Sequence, residues 1–125
     1  MLEIARPYAK AYLKFINTAR PAIINIEQKV YGQVKASGKV YEYCGRYDRL
    51  VRLSKYPWLI LDIKTGAPQW WHKVQGVAYC MAEGSGAWPC CLYLRSNGTY
   101  SLDIQSYYDY QKARADWIKA LVKEA

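Results

Sequence analysis

Apolar positions recur at steps of three and four across residues 2–18, where Ile4, Tyr8, Ala11, Tyr12 and Phe15 form one stripe. That spacing predicts an amphipathic helix. Pro7 falls inside it, so the regular part is expected to begin there, and Pro21 ends it. The pattern then changes. Residues 22–34 carry the β-branched run Ile23, Ile24, Ile26 and Val30, interrupted by Glu27, and predict a first strand. Ser37-Gly38 marks a turn. Residues 39–54 alternate aromatic or aliphatic positions with charge, as in a long strand, and Gly45 in its middle signals a bulge or a close backbone approach. After a turn at Lys55-Tyr56-Pro57, residues 58–64 (WLILDIK) are almost continuously apolar, the mark of a central strand buried on both faces.

Gly66 and Pro68 break that strand and lead into a helix over 69–83, with Val74, Ala78 and Met81 as its packing stripe and Val77 beside it. Gly84-Ser85-Gly86 terminates it. An apolar strand at 88–95, the hairpin turn Asn97-Gly98 and a partner strand at 99–104 follow. The last helix spans 107–124. Ser106 and Asp109 resemble a capping box, Tyr110, Ala113, Trp117 and Leu121 form its inner face, and Lys119 and Lys123 suit its C-terminal dipole. The predicted order is helix, three strands, helix, two strands, helix. Such an order fits one α/β domain over residues 1–125, a mixed sheet of about five strands flanked by helices with 58–64 in its middle.

Charge stands out where this pattern is most apolar. In a strand, side chains two apart share a face, so Asp62 and Lys64 point the same way from the end of the third strand. Antiparallel pairing about the turn at 55–56 puts Asp48 roughly opposite position 63, within reach of Asp62, and Glu27 on the neighbouring strand could complete the cluster. Three converging carboxylates repel one another unless a cation neutralises them. Oxygen-only ligands select a hard ion, Mg²⁺ or Mn²⁺. Such an ion would hold and polarise a phosphate, and Lys64 beside it could orient a water or stabilise developing charge. Gln75 and Tyr79 are four apart and share a helix face, with Trp71 and His72 one turn earlier.

Composition narrows the partner. The formal net charge of +8 favours an anionic ligand, nucleic acid before acidic membrane. Arg46, Arg49, Arg52, Lys55 and Lys73 form a local excess of positive charge near the carboxylates, suited to tracking phosphates. His72, the only histidine, reads as a surface helix residue within reach of a substrate. The group Tyr107, Tyr108 and Tyr110 reads as core and cap. Cysteines 44, 80, 90 and 91 contain no CxxC pair, so zinc and iron–sulfur sites are not expected, and buried free thiols in a reducing cytoplasm are. No apolar run of about 18 residues and no signal-peptide core occurs, which argues against a membrane partner.

Three short patterns carry a resemblance: Gly45-Arg46-Tyr47-Asp48 as GxxD, Leu61-Asp62-Ile63-Lys64 with Thr65-Gly66 as a hydrophobic-D-hydrophobic-K-T-G run, and Gln75-Gly76-Val77-Ala78-Tyr79 as QxxxY. Each alone is weak. Together, in order and in a strand–turn–strand–helix context, they resemble the PD-(D/E)XK nucleases, in the RecB-like and phage-type exonuclease branch, over about residues 20–105. The resemblance implies a restriction-endonuclease-like core and Mg²⁺-dependent hydrolysis of DNA phosphodiesters in recombination, repair or phage DNA processing. It implies metal ligation by Asp48, Asp62 and the backbone carbonyl of Ile63, with Glu27 where this branch places an upstream Glu or His ligand. It implies water activation by Lys64 and DNA contact by Gln75 and Tyr79; Arg46 and Lys73, from the local charge, and His72, from its place on the helix, are expected as further substrate contacts. Little sequence precedes the first motif, so the chain reads as a minimal version or a fragment. DNA is the expected partner, and assembly as a homo-oligomer is compatible with it. A non-catalytic DNA-binding module and an RNA-processing nuclease are the alternatives.

Overall fold

The computed structural model describes residues 5–56 and 58–124. Ile4 and the first positions of the helix expected from residue 2, and Pro57 of the expected turn, lie outside the described residues. The elements are α1 (Arg6–Ala19), β1 (Ala22–Ala36), β2 (Lys39–Arg52), β3 (Leu59–Lys64), α2 (Trp70–Glu83), β4 (Trp88–Leu94), β5 (Tyr100–Ile104) and α3 (Tyr107–Glu124). Pro7 sits in the first turn of α1, and Arg20 closes the helix in a left-handed conformation before Pro21.

The five strands form one sheet in the order β1-β2-β3-β4-β5, with β3 at its centre. Only β3 and β4 run parallel; every other pair is antiparallel. A parallel pair needs a crossover, and α2 supplies it. The protein is therefore an α/β domain with a mixed five-stranded sheet and three flanking helices.

Each face of the sheet has its own core. Ala11 and Phe15 of α1 pack with Val51, Leu59, Leu61, Cys90, Leu92 and Leu94 on one side. On the other, Cys80 of α2 packs with Val30, Tyr47, Leu50, Ile60 and Ala87. β3 feeds both sides alternately, which is why WLIL shows no alternation in the sequence. Asp62 and Lys64 fall in phase with Ile60 and so face α2.

The α2 surface that packs inward is rotated from the Val74–Met81 stripe. The buried residues are His72, Gly76, Val77, Ala78 and Cys80. Gly76 permits this, because a β-carbon there would stand 3.0 Å from that of Pro89. The helix thus lies close on β4, and Gln105 ties it down by donating from Nε2 to the Lys73 carbonyl at 2.8 Å.

α3 keeps Tyr110, Ala113 and Trp117 of its expected inner face and departs from expectation at its start. Ala113 is its buried residue, while Tyr107 and Tyr108 are 72% and 74% exposed, not core or cap residues. Tyr110 stacks on Trp88 and Trp117 meets the edge of Tyr43, so the helix docks through aromatic contacts. Ser106 caps it by accepting the Asp109 N–H, but the Asp109 carboxylate goes to Lys73 on α2. Among the cysteines, Cys80, Cys90 and Cys91 are buried thiols as expected, and Cys44 is exposed.

One irregularity bears on the site. Tyr47 and Leu50 join the same cluster although three residues apart. Arg49 between them lies against Tyr12 of α1, on the opposite side. Strand alternation is therefore broken at Asp48, as in a bulge. Across the β1–β2 ladder, Glu27 falls between the pairs Ile26↔Arg49 and Gln28↔Tyr47 and has a φ of 49°. A left-handed glutamate inside a strand is an uncommon, strained backbone state.

Candidate active site

The site forms where β2 and β3 part. Their ladder runs from Val51↔Leu59 to Arg49↔Leu61. Continued by one residue, it would align Asp48 with Asp62, one position from the alignment with residue 63 expected from the turn. Instead of backbone pairing, the Asp48 carboxylate takes over: Oδ2 accepts the Ile63 N–H at 2.7 Å. In an extended strand the N–H and C=O of a residue leave on the same edge, so the Ile63 carbonyl opens toward the same gap.

Asp62 is 5% exposed. Its Oδ2 lies 3.0 Å from Lys64 Nζ, an ion pair without hydrogen-bond alignment. Burial pushes the Asp62 carboxyl up to about 6, and the neighbouring Asp48 carboxylate acts in the same direction while Lys64 opposes both. Two adjacent carboxylates beside a single ammonium leave the gap short of positive charge.

Lys64 is fixed from above by α2. Its Nζ donates to Gln75 Oε1 at 2.8 Å and sits 5.3 Å from the centre of the Trp71 ring, a cation–π contact. Gln75 Nε2 in turn donates to the Tyr79 hydroxyl at 3.0 Å. Burial raises the Tyr79 phenol, and the fields of Asp62 and Asp48 add to it. Gly45 forms the floor: a β-carbon there would come within 2.7 Å of Tyr79 Cε1. Residues from the three sequence patterns thus make one contiguous run, Asp48–Asp62–Lys64–Gln75–Tyr79.

Other expected site residues lie elsewhere. His72 is buried, not a surface residue. Its Nδ1 receives the Gln69 N–H at 3.2 Å within a reciprocal cap of α2 and lies 3.0 Å from the Tyr93 hydroxyl. Burial and the Lys64 charge lower its basicity, so the ring stays neutral and braces the helix start instead of meeting a substrate. Lys73 is paired with Asp109 at 2.7 Å, which raises its pKa and joins α2 to α3. This pairing takes its charge from the phosphate-binding set. Arg46 is exposed on β2, directly opposite Lys29. Glu27 is exposed across the register from Asp48, and no cluster of three or more His, Cys, Asp or Glu that could hold a metal occurs among the described residues. The expected triad of carboxylates is thus a pair.

Trp71 is the site residue that sequence reasoning left without a function. The signal was its place directly before His72, one helical turn ahead of Gln75, where it faces whatever Gln75 faces.

The donor set suits a hard cation. Asp62 Oδ2 is buried with no hydrogen-bond partner, Asp48 keeps a second oxygen free of the Ile63 bond, and the Ile63 carbonyl opens on the same gap. Oxygens from two carboxylates and one carbonyl match the preferences of Mg²⁺ or Mn²⁺.

No protein-family model and no curated protein matches this sequence. Among solved structures, that of a protein designated SSO0001 is similar with a TM-score of 0.53 at 18% identity, over 90% of this chain and 57% of that one. This chain thus spans a little over half of that protein's length, and at such identity the likeness shows the fold alone.

Two outcomes follow from the geometry. The Asp62 pKa is raised from 3.8 to about 6 by folding, so the folded state binds the proton more tightly. In metal-free protein this group's contribution is fully present below about pH 4 and is lost as pH rises toward 6, on the order of 2–3 kcal/mol. Asp62→Asn should flatten that part of the stability–pH curve measured by urea unfolding, and an unchanged slope would refute the assignment. Gly45→Ala should destabilise the protein by about 1–3 kcal/mol through the Tyr79 ring. In a Tyr79→Ala background the same substitution should cost little, which a double-mutant cycle measures.

Proposed function

We propose that this chain is a PD-(D/E)XK-type nuclease of the RecB-like or phage branch, hydrolysing DNA phosphodiester bonds with Mg²⁺ or Mn²⁺. The observation that carries the proposal is the contact run from Asp48 to Tyr79. Three patterns spread over 35 residues, Gly45 to Tyr79, converge on one lysine, and a purely structural origin gives no reason for them to meet.

Asp48, Asp62 and the Ile63 carbonyl would hold the ion, which when bound supplies a Lewis acid for the phosphate and a more acidic water. The protein's own residues do the remaining work. Asp62 and Gln75 hold the Lys64 ammonium at a defined point between the carboxylates and α2, where it can stabilise charge that develops as water oxygen bonds to phosphorus and the bond to the leaving sugar oxygen breaks. Trp71 shields one side of that ammonium from solvent. The Gln75 amide and the Tyr79 hydroxyl stand on the side from which a phosphate would approach, and either can donate to its oxygens. The +8 charge and the exposed Lys29 and Arg46 suit a polyanionic strand. An exposed free thiol at Cys44 suits a reducing cytoplasm.

Purified protein incubated with linear DNA and Mg²⁺ should degrade it. EDTA should stop the reaction, and Lys64→Ala should slow it by about 100-fold or more. Equal degradation by the Lys64→Ala protein would refute the proposal. DNA that shifts in a gel yet stays intact with either metal would instead assign a binding module with the same fold. Preferential loss of RNA in a strand panel would move the substrate to RNA.

A further inference from the structure

Beside Gln75 and Tyr79 lies a cavity of about 340 Å³. Its walls are the rings of Tyr43, Trp71 and Trp117, and Gly45 leaves one side open. Volumes of this order, roughly 300–1,000 Å³, hold small ligands.

The walls are fixed in place. Tyr43 and Trp117 meet edge to face at 5.0 Å, and the Tyr43 hydroxyl donates to the Ala78 carbonyl at 2.8 Å. The Trp117 Nε1–H is buried beside the Tyr43 hydroxyl, so the wall these two rings form is largely apolar. Trp71 is 45% exposed and forms the rim that leads to Lys64. Gln75 is shared: its Oε1 is held by Lys64, while its side chain lines the cavity.

The geometry points to a nucleobase pocket: the cavity bounded by Tyr43, Trp71 and Trp117 takes one unpaired base of a DNA strand whose phosphate lies against Lys64. Aromatic rings at fixed angles with few polar atoms suit a flat heterocycle with edge donors and acceptors. A paired base inside a duplex stays in its stack and cannot enter without paying to leave it. The substrate class is therefore DNA with single-stranded or frayed ends, in preference to fully paired duplex. The inference rests on the nuclease reading for the position of the phosphate.

The test is binding in EDTA to three labelled DNAs, read by anisotropy: a blunt duplex, the same duplex with a short single-stranded tail, and that tailed duplex with abasic tail nucleotides. Tails are placed on either strand end. The base-bearing tail should bind about tenfold tighter than the abasic one. Trp71→Ala, at an exposed rim position, should bring that ratio near one. On the native chain, maleimide labelling of Cys44, the exposed thiol beside the cavity, should be slowed by base-bearing tails and not by abasic ones. Equal affinity for base-bearing and abasic tails, or equal labelling rates, overturns the pocket and leaves DNA cleavage as a separate result. A base preference in a protein that leaves DNA intact with Mg²⁺ keeps the pocket and removes the nuclease reading. No binding to any of the three DNAs overturns both.

Discussion

Two carboxylates held together where β2 and β3 part are the constraint around which this domain is built. Asp48 and Asp62 would separate if the strands were free to let them. They cannot, because Asp48 is tied to the backbone N–H of Ile63 and Asp62 sits at the end of the most buried strand. Among the described residues Lys64 is the cation that pairs with Asp62, and Gln75 holds it from the other side. Charge that the fold itself does not balance is a means of attracting a cation and, through it, a phosphate.

The surrounding packing serves this gap. The apolar phase of β3 places Leu59 and Leu61 under α1 and Ile60 under α2, and so fixes the direction in which Asp62 and Lys64 must point. Gly76 lets α2 settle on β4, which brings Gln75 down to the lysine. The break in alternation at Asp48 and the left-handed backbone of Glu27 opposite it end regular pairing where the strands must part. Strain of this kind persists where surrounding contacts over-determine it, and it clusters at working sites.

Much of this was legible in the chain. The continuous apolar run of β3, the hairpin at Asn97-Gly98 and the Gly45 close approach each have a local cause, and the structure realises each of them. The pairing of Asp62 with Lys64, and of Gln75 with Tyr79, follows from periods of two and four. What escaped was set by long-range packing. His72 is buried because α2 rotates toward Pro89, a rotation that Gly76 allows but does not announce. Lys73 is consumed by Asp109 from a helix 36 residues on, where a local reading saw a capping box. Tyr107 and Tyr108 are exposed although α3 docks through Tyr110, Ala113 and Trp117, the inner face expected of it.

Nuclease activity at this site depends on whether the carboxylate pair holds an ion. Crystals of the protein soaked in Mn²⁺ and measured for its anomalous scattering test this directly. One strong peak is expected in the gap between β2 and β3, within coordination distance of Asp48, Asp62 and the Ile63 carbonyl, and no such peak in Asp62→Asn crystals. Saturating Mn²⁺ with no peak in that gap, or a peak that persists when Asp62 is neutralised, would contradict ion binding by the pair.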